Sequence, residues 1–289
     1  MMNLMHWRMV VAVADTGNIT RAAERVGMTQ SGASQALALI EENLGVQLFT
    51  RENRQTLPTA IGLSVIEQAR TMLGALENIR NTVNTAKGFQ QGTIRLASFP
   101  MVLATFLPPL LRRFNQLYPG IQVIALEVSD DEVERLLAAG LVDVGVVLNP
   151  ARERKAVHLG SDAWVAVVPS GHLLATRSNE DGVSLVELAK QPFVLATGGC
   201  SVNARSVVID AGLQLLDVRV EVQEWSSAYA LVRENIGVTL VPETTLPIQR
   251  HGMRVVPLKP GINREFALVA AANQPASAGV QTLIGMLGE

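Results

Sequence analysis

Short apolar runs alternate with helical patterns from residue 93 onward, and this alternation restricts the possible fold more than any other feature of the chain. Strands that alternate with helices in this way form parallel sheets. The alternation runs over residues 93–148 and begins again at Trp164, so it predicts two α/β halves. The predicted strands are 93–97, 121–128, 142–148, 164–169, 192–196, 218–222 and 237–242. The predicted helices are one that ends at Tyr118 and those over 130–139, 184–189, 201–213 and 226–235.

The first sixty residues have a different pattern, with helical spacing and one polar hairpin. Residues 4–15 predict an amphipathic helix, and Thr20 is expected to cap a second helix that runs to Val26. Gly27 supplies the left-handed residue of a tight turn, and Thr29 is expected to cap a third helix. The predicted buried positions of this third helix are Ala33, Leu37, Ile40 and Leu44.

The third helix would expose short polar side chains in its first turns. In a helix-turn-helix, the first turns of the second helix approach the edges of DNA bases. Glutamine can pair with adenine, and serine can donate or accept a hydrogen bond. A three-helix bundle with an ordinary polar face has the same spacing, so both interpretations stay open at this point. The residues concerned are Gln30, Ser31, Ser34 and Gln35.

A basic hairpin is predicted directly after this helix, over residues 47–59, with Arg51 and Arg54 in or beside its turn. A hairpin in this place is a wing that can contact the DNA backbone. The sequence therefore favours a winged helix-turn-helix over residues 1–59. The predicted DNA-binding residues are Arg21, Thr29, Gln30, Ser31, Ser34, Gln35, Arg51 and Arg54.

The run AVADTGNITRAAERVGMTQSGASQALALIEENLGVQLFTR resembles the N-terminal domain of LysR-type transcriptional regulators. Three features depart from the family pattern: Gly32 stands where proline is common, Gln35 stands where arginine is common, and TLPTAIG replaces the usual LTxxG ending of the wing. We interpret these departures as an altered DNA-site preference. The motifs LVDVGVV, LGSDAWVAVVPSGHLLA and LVRENIGVTLVP extend a looser resemblance over the rest of the chain. The matching N-terminal residues are Ala22-Ala23, Thr29-Gln30, Ser34, Ile40-Glu41, Leu44-Gly45, Leu48-Phe49 and Arg51.

Residues 60–87 predict a long helix of roughly 40 Å, at about 1.5 Å per residue. Its apolar residues recur every three to four positions, as in a coiled-coil seam, although one more core helix would show the same spacing. The resemblance implies that residues 60–88 form a dimerising linker helix. The predicted dimerisation residues are Ile66, Ala69, Leu73, Leu76, Ile79 and Val83.

The charge balance gives weak support to DNA binding. Residues 1–88 contain eight Lys/Arg and seven Asp/Glu, whereas a protein that binds mainly by neutralising phosphates is strongly basic. A dimer carries two such N-terminal domains, or headpieces. Once one headpiece has bound DNA, the second is present at a high effective concentration, so two modest affinities combine into a stronger one. We therefore expect double-stranded operator DNA and a second copy of the chain, in a dimer or tetramer, as partners.

The resemblance implies a two-lobed, periplasmic-binding-protein-like effector domain, with residues 92–161 and 265–289 in one lobe and 162–264 in the other. Helix N-termini beside the cleft favour an anion without any fixed cation, so a small organic anion is the expected effector. Serines that merely cap helices would have the same positions. The predicted effector-binding residues are Ser98, Phe99, Pro100, Met101, Asn149, Gly199, Cys200, Ser201, Trp225 and Ser226.

The residues that could take part in catalysis do not form the pattern of an enzyme active site. The histidines are not spaced as metal ligands, and neither a phosphate-binding loop nor a nucleophile elbow is present, so no metal or cofactor is expected. Cys200 is the single cysteine, and a redox sensor is less favoured than a pocket-lining thiol because it has no resolving partner in the chain.

The sequence thus predicts an α/β protein that acts as a DNA-binding transcriptional regulator controlled by a small effector. The alternative is a small-solute binding protein whose N-terminal helices only dimerise. The lone cysteine and the lack of a signal peptide or long apolar run predict a cytoplasmic location without a membrane partner.

Overall fold

The computed structural model describes residues 2–52, 55–86, 92–272 and 276–287. The chain divides into two compact units. The first unit contains Met1–Phe89 and is grouped with Ala139–Leu141, and the second unit contains Gln90–Ala138 and Val142–Glu289. Among the described residues, every helix is too short or too polar to span a bilayer.

The first unit consists of three short helices, a hairpin and a long helix. Asn18 caps the second helix in place of the predicted Thr20, because its Oδ1 accepts hydrogen bonds from the backbone N–H of Thr20 at 2.9 Å and of Arg21 at 3.1 Å. The predicted cap of the third helix is confirmed: Thr29 Oγ1 accepts from the N–H of Gly32 at 3.1 Å. The elements are α1 Leu4–Thr16, α2 Ile19–Val26, α3 Gln30–Leu44, β1 Phe49–Glu52, β2 Gln55–Pro58 and α4 Ala60–Ala86.

The core of the first unit lies where α1, α2, α3 and the start of α4 meet. Ala33, Leu37 and Ile40 are buried as predicted, but Leu44 is 37% exposed. Leu44 is the last residue of α3, beyond the turns that pack against α1 and α2, and Ala36 is buried instead. The inward face of α3 therefore combines two alanines, which let the helices cross closely, with the larger Leu37 and Ile40.

The long helix α4 begins directly against the backbone that leads into the hairpin. Thr59 Oγ1 accepts from the N–H of Gly62 at 2.9 Å and donates to the carbonyl of Gln47 at the same distance. A Cβ on Gly62 would lie 2.0 Å from the carbonyl oxygen of Leu48. Glycine is therefore required here by close approach, although in the sequence it looks like a weak point of the helix.

The second unit alternates strands and helices, as predicted. Its first half contains β3 Gly92–Ser98, α5 Pro100–Thr105, α6 Leu107–Leu117, β4 Ile121–Glu127, α7 Asp130–Ala138 and β5 Val144–Leu148. Its second half contains β6 Val157–Pro169, α8 Leu185–Ala189, β7 Pro192–Ala196, α9 Ala204–Asp210, β8 Asp217–Val222, α10 Trp225–Arg233 and β9 Thr239–Pro242. The chain then adds β10 Met253–Pro257, β11 Asn263–Ala270 and α11 Ala278–Gly285.

Three predicted elements differ in extent. The helix expected to reach Tyr118 is two helices, because Pro108 and Pro109 cannot donate backbone hydrogen bonds and start a new helix. The helix expected from Ser201 begins only after Asn203, whose side chain caps it. The strand expected from Trp164 starts earlier, at Val157, because its first half pairs with β11.

The main sheet of the second unit has the strand order β10-β6-β11-β5-β3-β4, with β9 also paired to β6. The strands β7 and β8 form a separate two-stranded parallel sheet. The strand β3 is parallel to β4 and β5, whereas β11 is antiparallel to β5 and β6. Both β6 and β11 pass from one half of the unit to the other, and Asp162 lies opposite Arg264 where they pair. Separate apolar cores lie on the two sides of this crossing.

Candidate DNA-reading surface and ligand cleft

The start of α3 presents a polar surface. Gln30, Ser31 and Gln35 are exposed and Ser34 is half-buried, one turn further along the helix from Gln30. Gln30 Nε2 donates to Ser34 Oγ at 3.1 Å, so these two side chains lie side by side. The Thr29 hydroxyl is 3.2 Å from that of Ser31 and also serves as the helix cap. The predicted base-reading residues thus share one exposed face.

The basic residues predicted to hold the DNA backbone are only partly described. Arg21 is exposed on α2. Arg51 belongs to β1 and lies opposite Thr56 of β2, whereas Arg54 lies outside the described residues.

Glu41 connects the hairpin to α3. Its Oε1 accepts hydrogen bonds from the backbone N–H of Leu48 at 2.7 Å and of Phe49 at 3.1 Å. A carboxylate that accepts two backbone hydrogen bonds fixes the connection between the two elements. The polar face at the start of α3 and the hairpin are therefore held in one relative orientation.

The predicted dimerisation residues of α4 fall into two groups. Ile66 and Ala69 are each only 3% exposed, and Ile66 belongs to the core of the first unit. Ile66 therefore packs inward and does not form an outer seam, which corrects the prediction for this residue, whereas Ala69 lines the groove between α1 and α4 described below. Leu73 and Leu76 are half-buried, and Ile79 and Val83 are exposed.

A second apolar surface of the first unit lies between α1 and α4. It is a groove of about 420 Å³ lined by Trp7, Ser64, Val65, Gln68, Ala69 and Met72. Exposed apolar side chains elsewhere on these two helices include Leu4, Met5, Ile61 and Leu63. Contiguous apolar surfaces of this kind mark interaction sites.

A cleft in the second unit contains a cavity of about 400 Å³. Residues from both halves of the unit contribute to it, as the strand alternation predicts. Its lining is Phe99, Pro100, Met101, Ala104, Thr105, Glu127, Gly198, Cys200, Gln223, Glu224, Trp225, Thr244, Thr245 and Arg264.

Half of the predicted effector-binding residues line this cavity, namely Phe99, Pro100, Met101, Cys200 and Trp225. Gly198 allows the indole to approach the backbone closely, because a Cβ there would lie 2.2 Å from the ring of Trp225. The remaining five predicted residues, Ser98, Asn149, Gly199, Ser201 and Ser226, are not in the lining.

Each of these five has another place in the structure. Ser98 is fully buried and donates to the carbonyl of Phe99 at 3.2 Å. Ser201 caps no helix, since its hydroxyl donates to Asp130 at 2.9 Å. Asn149 Oδ1 accepts from the N–H of Glu265, Gly199 packs near Gln223, and Ser226 lies inside α10, whose cap residue is Glu224.

The expectation of a cleft without a fixed cation is wrong, because Arg264 lines the cavity and is only 2% exposed. Its Nη2 donates to Asp162 Oδ2 at 3.1 Å. Asp162 also accepts from the N–H of Thr244 at 3.1 Å and from its hydroxyl at 2.5 Å. The signal in the sequence is weak, because Arg264 stands between Asn263 and Glu265, ahead of the apolar residues 266–270 of β11.

Contacts across the cleft also involve Asp130, at the start of α7. Its carboxylate accepts from the N–H of Ser201 at 2.8 Å and from the N–H of Val202 at 3.0 Å. These bonds replace the first turn of the helix expected from Ser201, which explains the late start of α9. They also join the two halves of the unit at one side of the cleft.

Burial raises the pKa of the Cys200 thiol to about 11, and the negative charge of Asp130 adds to the effect. The thiolate is the reactive form of cysteine, so its population near neutral pH is very small. This environment favours the pocket-lining interpretation of Cys200 over the redox interpretation.

We expect Cys200 to react slowly with iodoacetamide. With its pKa raised from 9.0 to about 11, the thiolate fraction at pH 8 falls by about 100-fold relative to an unperturbed thiol. The alkylation rate, followed by mass spectrometry, should rise by about tenfold per pH unit up to pH 10. The urea-unfolded chain serves as the control, and equal rates in the folded and unfolded chains at pH 8 would contradict the prediction.

Among the described residues, no group of three or more His, Cys, Asp or Glu side chains is arranged to hold a metal ion. Arg264 of the cleft instead forms an ion pair with Asp162.

Comparison with known proteins agrees with this architecture. Residues 4–63 match the family described as bacterial regulatory helix-turn-helix protein, lysR family, and residues 87–289 match the LysR substrate binding domain. The HTH-type transcriptional regulator YvbU of Bacillus subtilis is 28% identical over 100% of this chain and 98% of its own length.

Two solved structures share the fold. A full-length OxyR variant from Pseudomonas aeruginosa has a TM-score of 0.72 at 19% identity, covering 99% of this chain and 95% of its own. Full-length CbnR in complex with its target DNA has a TM-score of 0.64 at 21% identity, covering 99% of this chain and 98% of its own.

Proposed function

The chain belongs to the LysR family of bacterial transcriptional regulators, and on that premise we propose that it binds a partly palindromic operator as a dimer or tetramer under the control of a small organic anion. The observation that carries the proposal is the exposed polar face at the start of α3, where Gln30 and Ser34 lie side by side. Family membership favours this function over that of a small-solute binding protein. A regulator of operator DNA would act in the cytoplasm.

We assign base reading to Gln30, Ser31, Ser34 and Gln35, and backbone contacts to Arg21, Thr29, Arg51 and Arg54. Support comes from the exposure of the α3 face and from Glu41, which holds the hairpin against α3. A solved relative of the same fold was captured with its target DNA, which fits this assignment.

Dimerisation would use apolar surface that the first unit leaves exposed. The candidates are the groove between α1 and α4 and the outer residues Ile79 and Val83 of α4. Two headpieces held together in this way would bind two half-sites, and the second contact would benefit from a high effective concentration. This compensates for the weak positive charge of each headpiece.

We assign residues 92–161 and 265–289 to one lobe of the effector domain and residues 162–264 to the other. Both boundaries fall where β6 and β11 cross, at the paired positions of Asp162 and Arg264. An anion in the cleft would meet Arg264 and the N-terminus of α10, which begins at Trp225 in the cavity wall. Its binding would shift the population of lobe arrangements and thereby operator occupancy.

The test is Gln30→Ala in the full-length protein. A side chain that pairs with a base contributes about 1–3 kcal/mol of discrimination, so the ratio of operator to random-DNA affinity should fall by about 5- to 150-fold at fixed salt. The operator probe would be the tightest sequence selected from a random DNA pool, and affinities would be measured by fluorescence anisotropy.

Gln116→Ala is the matched control, because Gln116 is an exposed glutamine of α6 in the second unit. It should leave the ratio unchanged. A parallel loss of operator and random-DNA affinity in Gln30→Ala would show that Gln30 contacts the backbone or supports the fold instead of reading bases.

A further inference from the structure

Arg264 is held rigidly at the wall of the cleft cavity. Its guanidinium carbon lies 5.4 Å from the ring centroids of both Trp164 and Phe266, so aromatic rings pack close to the charge. The Asp162 carboxylate fixes one end through Nη2, and Asp162 is itself held by Thr244. A guanidinium packed in this way loses little conformational freedom when it binds a ligand.

One N–H group of this guanidinium forms no hydrogen bond with the part of the chain that the structure describes. Arg264 Nε is buried and has no hydrogen-bond partner among the described residues. An unsatisfied N–H of a buried charged group is costly, and most buried polar groups therefore have partners. Arg264 lines the cavity, and a bound ligand that displaces the atoms now covering Nε would supply the missing acceptor.

The other charges of the cavity limit what that ligand can be. Besides Arg264, the charged residues of the lining are Glu127 and Glu224, both exposed. Asp162 already balances the charge of Arg264, so the site has one cationic group and no excess of positive charge. A second carboxylate on the ligand would meet glutamates instead of a cation.

The rest of the lining is largely apolar. Phe99, Met101, Ala104 and Trp225 contribute apolar side chains to it, and the indole of Trp225 packs directly over the backbone of Gly198. A cavity of about 400 Å³ suits a ligand of roughly a dozen non-hydrogen atoms with an apolar body.

Building on the proposed function, we propose that Arg264 is the specificity-determining residue of the effector site and selects a monocarboxylate with an apolar body. One carboxylate oxygen accepts the hydrogen bond of Nε, and the apolar part of the ligand packs against Phe99 and Trp225. Dicarboxylates are rejected by Glu127 and Glu224, and neutral isosteres are rejected because they give Nε a weaker acceptor.

The test is isothermal titration calorimetry of the full-length protein with three probes: phenylacetate, its neutral counterpart 2-phenylethanol, and the dicarboxylate succinate. We expect phenylacetate to bind at least about tenfold more tightly than 2-phenylethanol, because a charged acceptor forms a stronger hydrogen bond with the guanidinium. We expect the same preference over succinate, because the second carboxylate of succinate would meet Glu127 and Glu224. Arg264→Lys keeps a charge beside Asp162 but has no Nε donor, and should weaken phenylacetate binding by about 10- to 100-fold.

Arg205→Lys is the matched control, since Arg205 is an exposed arginine of α9 outside this cavity lining, and it should bind phenylacetate like the parent protein. If Arg264→Lys fails to fold, the double variant Asp162→Asn with Arg264→Met removes both charges. That variant should lose phenylacetate binding and keep any affinity for 2-phenylethanol.

Three results would overturn the proposal: equal phenylacetate affinity in Arg264→Lys and the parent protein, a preference for succinate, or no binding of phenylacetate at millimolar concentration. Binding of the selected operator would be measured on the same preparations. If the protein gives one of these results but still binds the operator, only the monocarboxylate site is refuted. If it does not bind the operator, the result counts against the proposed function.

Discussion

Gly62→Ala is expected to destabilise the first unit by about 3 kcal/mol, the upper end of the usual cost of overpacking. The added methyl carbon would lie 2.0 Å from the carbonyl oxygen of Leu48, and backbone cannot move aside as a flexible side chain can. The helix propensity of alanine returns only about 1 kcal/mol of this. Hydrogen exchange of peptides from α3 and α4, measured in the full-length protein at increasing urea concentration, would give the change in unfolding free energy.

Gly285→Ala provides the matched control. Gly285 also lies in a helix, α11, and a Cβ there would have no other atom within 4 Å. Its replacement should leave stability unchanged or raise it slightly. If the hydrogen-exchange protection of α3 and α4 is the same in Gly62→Ala as in the parent protein, α4 does not approach Leu48 as closely as described.

Asp162→Ala is expected to cost about 3–5 kcal/mol of unfolding free energy, because it leaves the charge of a buried arginine without its partner. Arg264 is 2% exposed and Asp162 is 5% exposed, so water cannot replace the lost contact. The substitution also removes the acceptor of both hydrogen bonds from Thr244. Hydrogen exchange of peptides from β6 and β11 would report the loss.

Asp217→Ala is the control for this experiment. Asp217 pairs with Arg219 through Nε at 2.8 Å, but both side chains are largely in solvent, and an exposed pair of this kind contributes at most about 1 kcal/mol. Adding Arg264→Met to Asp162→Ala should restore most of the lost stability, since a buried pair can be replaced by apolar residues at little cost. A double variant no more stable than Asp162→Ala would contradict this account.

The local patterns of the first unit could be predicted from the sequence because helix spacing, caps and turn residues act over a few positions. The cap at Thr29 and the turn at Gly27 are examples, with Gly27 at φ 75°. The spacing of Ile66 and Ala69 predicted an apolar face on α4, but spacing does not state what covers that face. The covering element, α1, is distant in the sequence, and Ile66 packs inward.

The cleft shows the same limit more strongly. Residues at the ends of strands and the starts of helices, such as Phe99 and Trp225, were identified because the topology of parallel sheets places them there. Arg264 and Asp162 were not, because they lie inside strands and meet only through the antiparallel pairing of β6 with β11. A pairing between segments so far apart in the sequence leaves no periodic trace in either of them.

The position of β11 in the sheet has a consequence for the order in which the protein can fold during synthesis. β11 lies between β5 and β6, and it contributes Phe266 and Leu268 to the core that also contains β3 and β5. On the ribosome this core stays incomplete until nearly the whole chain has emerged, whereas the apolar cluster over residues 164–258 contains no residue from β11. The later half of the second unit can therefore become structured before the earlier half. A late nonsense codon that removes β11 would leave the core of the earlier half incomplete.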